Sequence, residues 1–271
     1  GYCSKLVAQT SNVDSLQRLL DTNLPDSSRL EILNNLVYSQ HYQDAATSVE
    51  YSLEALEIAD RLQSSEAFFW TYYFRTMACM AAGQFPQAAE SGRQALTYAT
   101  KQQNTERRIV VRLQLASAYD GLGDFQSAMQ QLEIGRDLAI MVKDTERIIN
   151  TYSKAAQFHL ESDQPEEAYH ILQEAIALQK IQKDTLGLAM SYVSMAKSGQ
   201  APEERLELLQ KGYRLARLGG HGFHIINAGT ALADYYYFDS IQLDSAIFYY
   251  DKVFEMANRF REPYTLLQTH L

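Results

Sequence analysis

Three columns of small residues recur along this chain with a single period, and that regularity restricts it to a repeat architecture. The first column is Ser48, Ala88, Ala128, Ala168, Arg205 and Ala246, at steps of 40, 40, 40, 37 and 41 residues. Ala55, Ala95, Gly135, Ala175, Gly212 and Val253 follow it with the same steps, each 7 residues further on. Val37, Thr76, Ala116, Ala156, Ala196 and Ala233 form the third column, upstream. Between the third column and the first lies a turn, written Gly83-Gln84-Phe85-Pro86, Gly123-Asp124-Phe125-Gln126 and Asp163-Gln164-Pro165-Glu166.

A fourth column fixes boundaries. Ser64, Asn104, Asp144 and Asp184 stand 40 residues apart, and each is a residue whose side-chain oxygen satisfies an orphan N–H at a helix start. Each therefore predicts the first helix of a repeat. Pro86, Pro165 and Pro202 follow the turns, where a fixed φ and a missing N–H suit the first turn of a second helix. In between, Leu53, Leu56 and Ala59, and later Ile171, Leu172, Ala175 and Leu178, fall at helical spacings. The expected fold class is all-α. Small residues recur because two antiparallel helices approach closely only where one side chain is small, and overpacking such a seam costs about 1–3 kcal/mol.

This pattern resembles the tetratricopeptide repeat family, a helix–turn–helix with small residues at the helix crossings and Gly-x-Tyr/Phe at the turn. The third repeat carries most of the likeness: Leu115-Ala116, Tyr119, Gly123, Phe125, Ala128 and Gly135 stand in register with the family pattern. Thr76 and Cys79 depart from it in the second repeat, His159 in the fourth, and the shortened turn and Arg205 in the fifth. The resemblance covers residues 26–271 as six repeats, at about 26–63, 64–103, 104–143, 144–183, 184–220 and 221–261, with a further helix beginning over 262–271. Residues 1–25 are left as a lead-in with a short helix. A period of 40 in place of the family's usual 34 or so implies helices longer by about one turn per pair.

The family resemblance implies an α-solenoid in a right-handed superhelical arc, whose first helices line an inner, concave wall. Carried over position by position, it places Asn34, Tyr38, Tyr73, Met77, Leu113, Ser117, Ser153, Gln157, Thr230 and Asp234 on that wall, joined by Asp120, Asn150 and Tyr237 one turn away. Amide, hydroxyl and aromatic groups of this kind suit an extended peptide or a docked helix. They lack the lysines of a carboxylate clamp. The chain is also similar to the long-period repeats of bacterial sensor kinases and LuxR-type regulators, which implies a regulatory module of a larger protein. A free-standing scaffold or assembly adaptor is the alternative.

Composition narrows the function classes. With 24 basic against 33 acidic residues and a net charge of −9, the chain lacks the basic surface that displaces counterions from nucleic acid. No apolar run reaches the roughly 18 residues of a membrane span. Two cysteines, Cys3 and Cys79, supply neither a disulfide framework nor metal-ligand spacing. Ser194-Met195-Ala196-Lys197 mimics a Ser-x-x-Lys nucleophile but lacks its partner motifs, and Ala196 belongs to the seam. The Gly219-Gly220-His221-Gly222 stretch reads as an inter-helix loop, because no strand precedes it and no Lys-Ser/Thr follows. Arg107, Arg108, Arg112 and Arg147 read as a solvated face. No catalytic residue, cofactor or metal is expected, and the expected partner is a protein or peptide segment.

Aromatic residues crowd Phe68 to Phe74, Tyr235 to Phe238 and Phe248 to Tyr250. Most are expected to fill the core between repeats, and the remainder to anchor a ligand. At the N-terminus, Gly1 to Gln9 reads either as the tail of a secretory leader ending near Ala8, which places the chain in the periplasm, or as a disordered lead-in. At the other end, Glu262 to Leu271 opens an apolar-periodic segment with no polar cap, so the parent chain is expected to continue.

Overall fold

The computed structural model describes residues 13–260. The readings of Gly1 to Gln9, of Cys3 and of the helix expected over 262–271 lie outside the described residues. Among the described residues there are thirteen α-helices and no strand. A short α1 (Val13–Leu20) is followed by six helix pairs: α2 (Asp26–Gln40) with α3 (Ala45–Leu62), α4 (Ser65–Ala81) with α5 (Phe85–Lys101), and α6 (Thr105–Gly121) with α7 (Phe125–Met141). Then come α8 (Thr145–Glu161) with α9 (Pro165–Gln182), α10 (Thr185–Lys197) with α11 (Arg205–Gly219), and α12 (Gly222–Asp234) with α13 (Leu243–Phe260). Contacts divide the chain into two compact units, one up to Arg147 and one from Ile148.

The capping column forms the helix starts it predicts. The side chains of Ser64, Asn104, Asp144 and Asp184 accept hydrogen bonds from the backbone N–H three residues on, in Ala67, Arg107, Arg147 and Gly187. The residue before each, Gln63, Gln103, Lys143 and Lys183, takes a left-handed φ of 49° to 56°. Each N-cap N–H from Asn104 onward bonds back across the turn, to the carbonyls of Ala99, Ala139 and Gln179, which closes the preceding helix in a Schellman-type turn. The turns inside the repeats use the same device. Gly83 and Gly123 supply the left-handed residue at φ 68° and 74°, and the following N–H groups bond to Cys79 and Tyr119 carbonyls. The sharp reversals are therefore written locally, one residue type at a time.

The small-residue columns are the helix seams. Ala88, Ala128 and Ala168 are fully buried, as are Ala55, Ala95 and Ala175, and Ala116 and Ala156. Within unit 1, each first helix packs on its own second helix and each second helix on the next first helix, as α3 does on α4 and α5 on α6. In unit 2, α11 packs on both α10 and α12. Gly212 shows how close the approach is: a Cβ there would lie 2.9 Å from the Ala189 carbonyl oxygen and 2.8 Å from a Val193 methyl.

Three local departures occur, and the first and last have a physical reason. Pro202 opens a 3₁₀ turn, Pro202–Glu204, and the α-helix starts only at Arg205. Arg205 therefore does not occupy a buried alanine place; it pairs with Asp239 at 2.7 Å. Leu53, on the apolar period of α3, is 48% exposed. Finally, Tyr235–Asp239 forms a π-helical turn. The sequence holds one residue more between Ala233 and Ala246 than between Ala116 and Ala128, and a π turn absorbs one extra residue without breaking the helix.

The turn that follows puts Ile241 at φ 51°, a left-handed conformation that a β-branched side chain adopts only under strain. Its side chain is 77% exposed and so contributes little packing. Ile241→Gly is accordingly expected to stabilise unit 2 by about 1 kcal/mol, read as a raised urea midpoint with an unchanged slope. A lowered midpoint would mean that the isoleucine makes contacts that outweigh its backbone strain.

Candidate functional site

In unit 1 the first helices α2, α4 and α6 form one wall. Leu30, Leu33, Leu36 and Val37 bury the core face of α2, and Asn34 is carried inward beside them. It sits on a hollow of about 310 Å³ between α2 and α4, floored by Leu30, Ala67 and Phe74 and rimmed by Glu31, Glu66 and Trp70. Small Ala67 across the gap leaves this space open. Asn34 is only 8% exposed, and its amide oxygen has no hydrogen-bond partner. A buried amide without a partner is costly, so this oxygen is an unsatisfied polar group beside the hollow.

The far rim is held by charge. Arg107 of α6 reaches Glu66 through two nitrogens, at 2.6 Å to each carboxylate oxygen, and Trp70 Nε1 donates to the same carboxylate at 2.9 Å. The guanidinium lies 4.4 Å from the Phe69 ring centre and 5.0 Å from that of Trp70. The Arg107 hydrogen bonds, with the indole N–H adding to them, hold the Glu66 carboxyl below its ordinary range against the opposing effect of burial. The indole is thereby fixed at the edge of the hollow. Arg107 is thus not part of a solvated face, since its side chain is 17% exposed; Arg147 pairs with Asp144.

A second hollow of about 240 Å³ lies further along the wall, between His41 and Tyr42 at the end of α2, Met77 and Met80 of α4, and Gln114 and Ser117 of α6. His41 Nδ1 lies 2.8 Å from the Tyr38 carbonyl oxygen, and burial pushes the imidazole pKa down. A neutral ring donating from Nδ1 leaves Nε2 as a second buried acceptor without a partner. Along α2, Tyr38 lies one turn from both Asn34 and His41, with its ring edge-on to Phe74 at 6.0 Å. Tyr73 stacks on Phe69 at 6.1 Å and meets Phe74 edge-on at 5.5 Å. The aromatic run of α4 thus divides between core and wall.

Asn34 lines the first hollow and Met77 and Ser117 the second, whereas Tyr38, 48% exposed on α2, and Tyr73, half-buried on α4, line neither, and Asp120 is half-buried at the end of α6. Leu113 is half-buried on α6, and the remaining sequence-derived positions belong to unit 2. Asn150 and Gln157 are exposed on α8, and Gln157 donates to Glu161 at 2.8 Å. Thr230 is half-buried on α12, and Tyr237 stands 48% exposed in the π turn. Asp234 accepts a 2.5 Å bond from the Tyr250 hydroxyl, which occupies one carboxylate oxygen; burial, with this bond adding to it, drives the phenol pKa up. Sequence reasoning missed Glu66, Trp70 and Arg107 as a unit; the signal available was their spacing, since Arg107 follows Glu66 by 41 residues, one period plus one.

The glycine stretch of unit 2 forms no cradle: Gly219 ends α11, Gly220 caps it at φ 72°, and α12 begins at Gly222. Cys79 is fully buried, and burial raises its thiol pKa, so it is not a reactive thiolate. Among the described residues, no helix is long and apolar enough to cross a membrane.

Solved structures share the fold. A Rap protein complexed with competence and sporulation factor superposes with a TM-score of 0.71 at 15% identity, over 93% of this chain and 71% of that one. A signal-transduction ATPase with a tetratricopeptide repeat sensor, from Pyrococcus horikoshii, gives a TM-score of 0.70 at 15% identity over 97% of this chain and 42% of that one. NprR in complex with its cognate peptide NprX gives 0.62 at 14% identity, over 95% and 77%. No family model and no curated protein matches the sequence. The repeated helix pairs, their seams of small residues and these neighbours together make the chain an α-solenoid of tetratricopeptide-like repeats.

Proposed function

We propose that this chain is a non-catalytic peptide-binding module of a regulatory protein, and that the first-helix wall of unit 1 is its binding surface. One observation carries the reading: the unpartnered amide oxygen of Asn34, buried on an apolar hollow whose rim is fixed by Glu66, Trp70 and Arg107. An extended peptide would donate a backbone N–H to Asn34 and place an apolar side chain on Leu30, Ala67 and Phe74. The second hollow, beside Met77 and Ser117, would take a side chain further along, and methionine suits surfaces that adapt to their ligand. Neighbours of the same fold support the reading, since one is a Rap protein complexed with competence and sporulation factor and another is bound to its cognate peptide.

The test is selection of peptides on the full chain from a displayed random library, followed by affinity measurement on wall variants. Tyr38→Ala and Met77→Glu are expected to weaken the selected peptides about tenfold or more each, since each removes an anchoring contact from a small interface. Selected peptides that bind both variants as they bind the parent would move the site off this wall. The scaffold alternative predicts instead a broad flat contact that tolerates both changes.

A further inference from the structure

Unit 2 carries a groove of different chemistry on its second helices. Two adjoining hollows, of about 480 Å³ and 370 Å³, lie between α11 and α13 and share Tyr213, Arg217 and Tyr249. Their walls are rigid aromatic rings. Tyr249 stacks on Tyr236 at 5.6 Å with the planes 4° apart, and Tyr213 meets Tyr249 edge-on at 5.5 Å. Gln210 donates to the Tyr236 hydroxyl at 3.4 Å. Leu232, fully buried, floors one hollow and Met256, half-buried, lines the other.

The rims are cationic, in a chain whose net charge is −9. Arg214 and Arg217 border the first hollow; Arg217, Lys252 and Arg259 border the second. Glu255, which borders it too, pairs with Lys252 at 2.8 Å, so these two charges offset each other and the cationic character of the groove rests on its arginines. Arg217 lies over the Tyr213 ring at 5.9 Å, which holds its guanidinium at the groove mouth. Arg214 and Arg217 are both exposed and, one turn apart on α11, they present two forks to one line of approach. Guanidinium forks of this kind recognise carboxylates with two parallel bonds. Recesses of this size take side chains, whereas a lipid surface is met by protruding residues lying flat on it.

We propose that the α11–α13 groove is a second binding site, for an acidic peptide segment of a partner protein. Its carboxylates pair with Arg214 and Arg217, and its apolar side chains enter the hollows beside Tyr213 and Tyr249. Charge complementarity selects this occupant: a cationic groove on an acidic chain repels further cation and steers an acidic segment in. This site is separate from the wall of unit 1 and does not depend on it.

Fluorescence anisotropy on the full chain tests it. The probe is a labelled pool of short peptides with glutamate at alternate positions and leucine, phenylalanine or tyrosine between them; the comparison pool has glutamine for glutamate. The glutamate pool is expected to bind at least about tenfold more tightly than the glutamine pool, with binding weakened by added salt. Arg214→Gln with Arg217→Gln removes two exposed cations and is expected to cost at least about tenfold while leaving the melting curve unchanged. Asn34→Leu, in the other unit, is expected to bind the glutamate pool as the parent does. Equal binding of the two pools, or full binding by the double arginine variant, would overturn the proposal. Capture of anionic phosphatidylglycerol vesicles without the peptide pool would assign the groove to a lipid surface instead. Loss of the pool in Asn34→Leu alone would return the binding to unit 1 and leave the α11–α13 groove without a ligand.

Discussion

Ala128→Arg is expected to lower the unfolding midpoint of unit 1 by about 10 °C or more, the largest effect of any single change considered. Ala128 is fully buried in the seam between α6 and α7, where no volume exists for a longer side chain. An arginine there either forces the helices apart or buries a charge without a partner. An uncompensated buried charge costs about 3–5 kcal/mol, and each 1 kcal/mol shifts the midpoint by roughly 2–4 °C for a chain of this size. Ala116→Arg, on the facing helix and also fully buried, should behave alike. Gln126→Arg, two residues away and exposed, should leave the midpoint within about 1 °C, since surface changes of this kind stay near zero. Differential scanning calorimetry checks all three, and equal midpoints would refute the seam.

Asn34→Leu is expected to move two properties in opposite directions. Leucine is close to asparagine in size and removes the buried, unpartnered amide oxygen, so unit 1 should gain about 1–2 kcal/mol. The same change deletes the acceptor offered to a peptide backbone, and peptides selected on the parent should weaken by about tenfold or more. A more stable protein that binds less is the signature of a residue kept for its ligand. If stability falls and affinity holds, Asn34 serves the core and the hollow is an accident of packing. Chemical denaturation and anisotropy on one preparation separate these outcomes.

Most of the fold was legible because close packing leaves marks in residue size. Ala88, Ala128 and Ala168 recur because a helix crossing tolerates little more than a methyl group, and Ser64, Asn104, Asp144 and Asp184 recur because helix starts need a side-chain acceptor. The 41-residue step into Ala246 was visible too, yet its physical outcome, the π turn of Tyr235–Asp239, was not: spacing shows an extra residue and not how the backbone absorbs it. The site was less legible. Asn34 was placed on the wall from its helical position, but its depth depends on Ala67 across the gap, a contact between repeats. Arg107 read as a surface cation because its neighbours in sequence are acidic; its partner Glu66 lies one period back. The α11–α13 groove left half a mark: the aromatic crowding of Tyr235 to Phe238 and Phe248 to Tyr250 was visible, but Arg214 and Arg217 look ordinary on an exposed helix, and only packing between α11 and α13 brings them beside Tyr249.

The chain contains a single tryptophan, and it is the indole held by Glu66 at the lip of the first hollow. Emission excited at the red edge, beyond the absorption of the 18 tyrosines, therefore comes from one known place, next to Asn34. A guest entering there displaces water from one indole and no other, so the protein carries its own optical gauge of occupancy. Titrations on untouched material can be followed by colour shift and quenching alone, with the Arg214–Tyr249 groove of the other unit silent in the same cuvette.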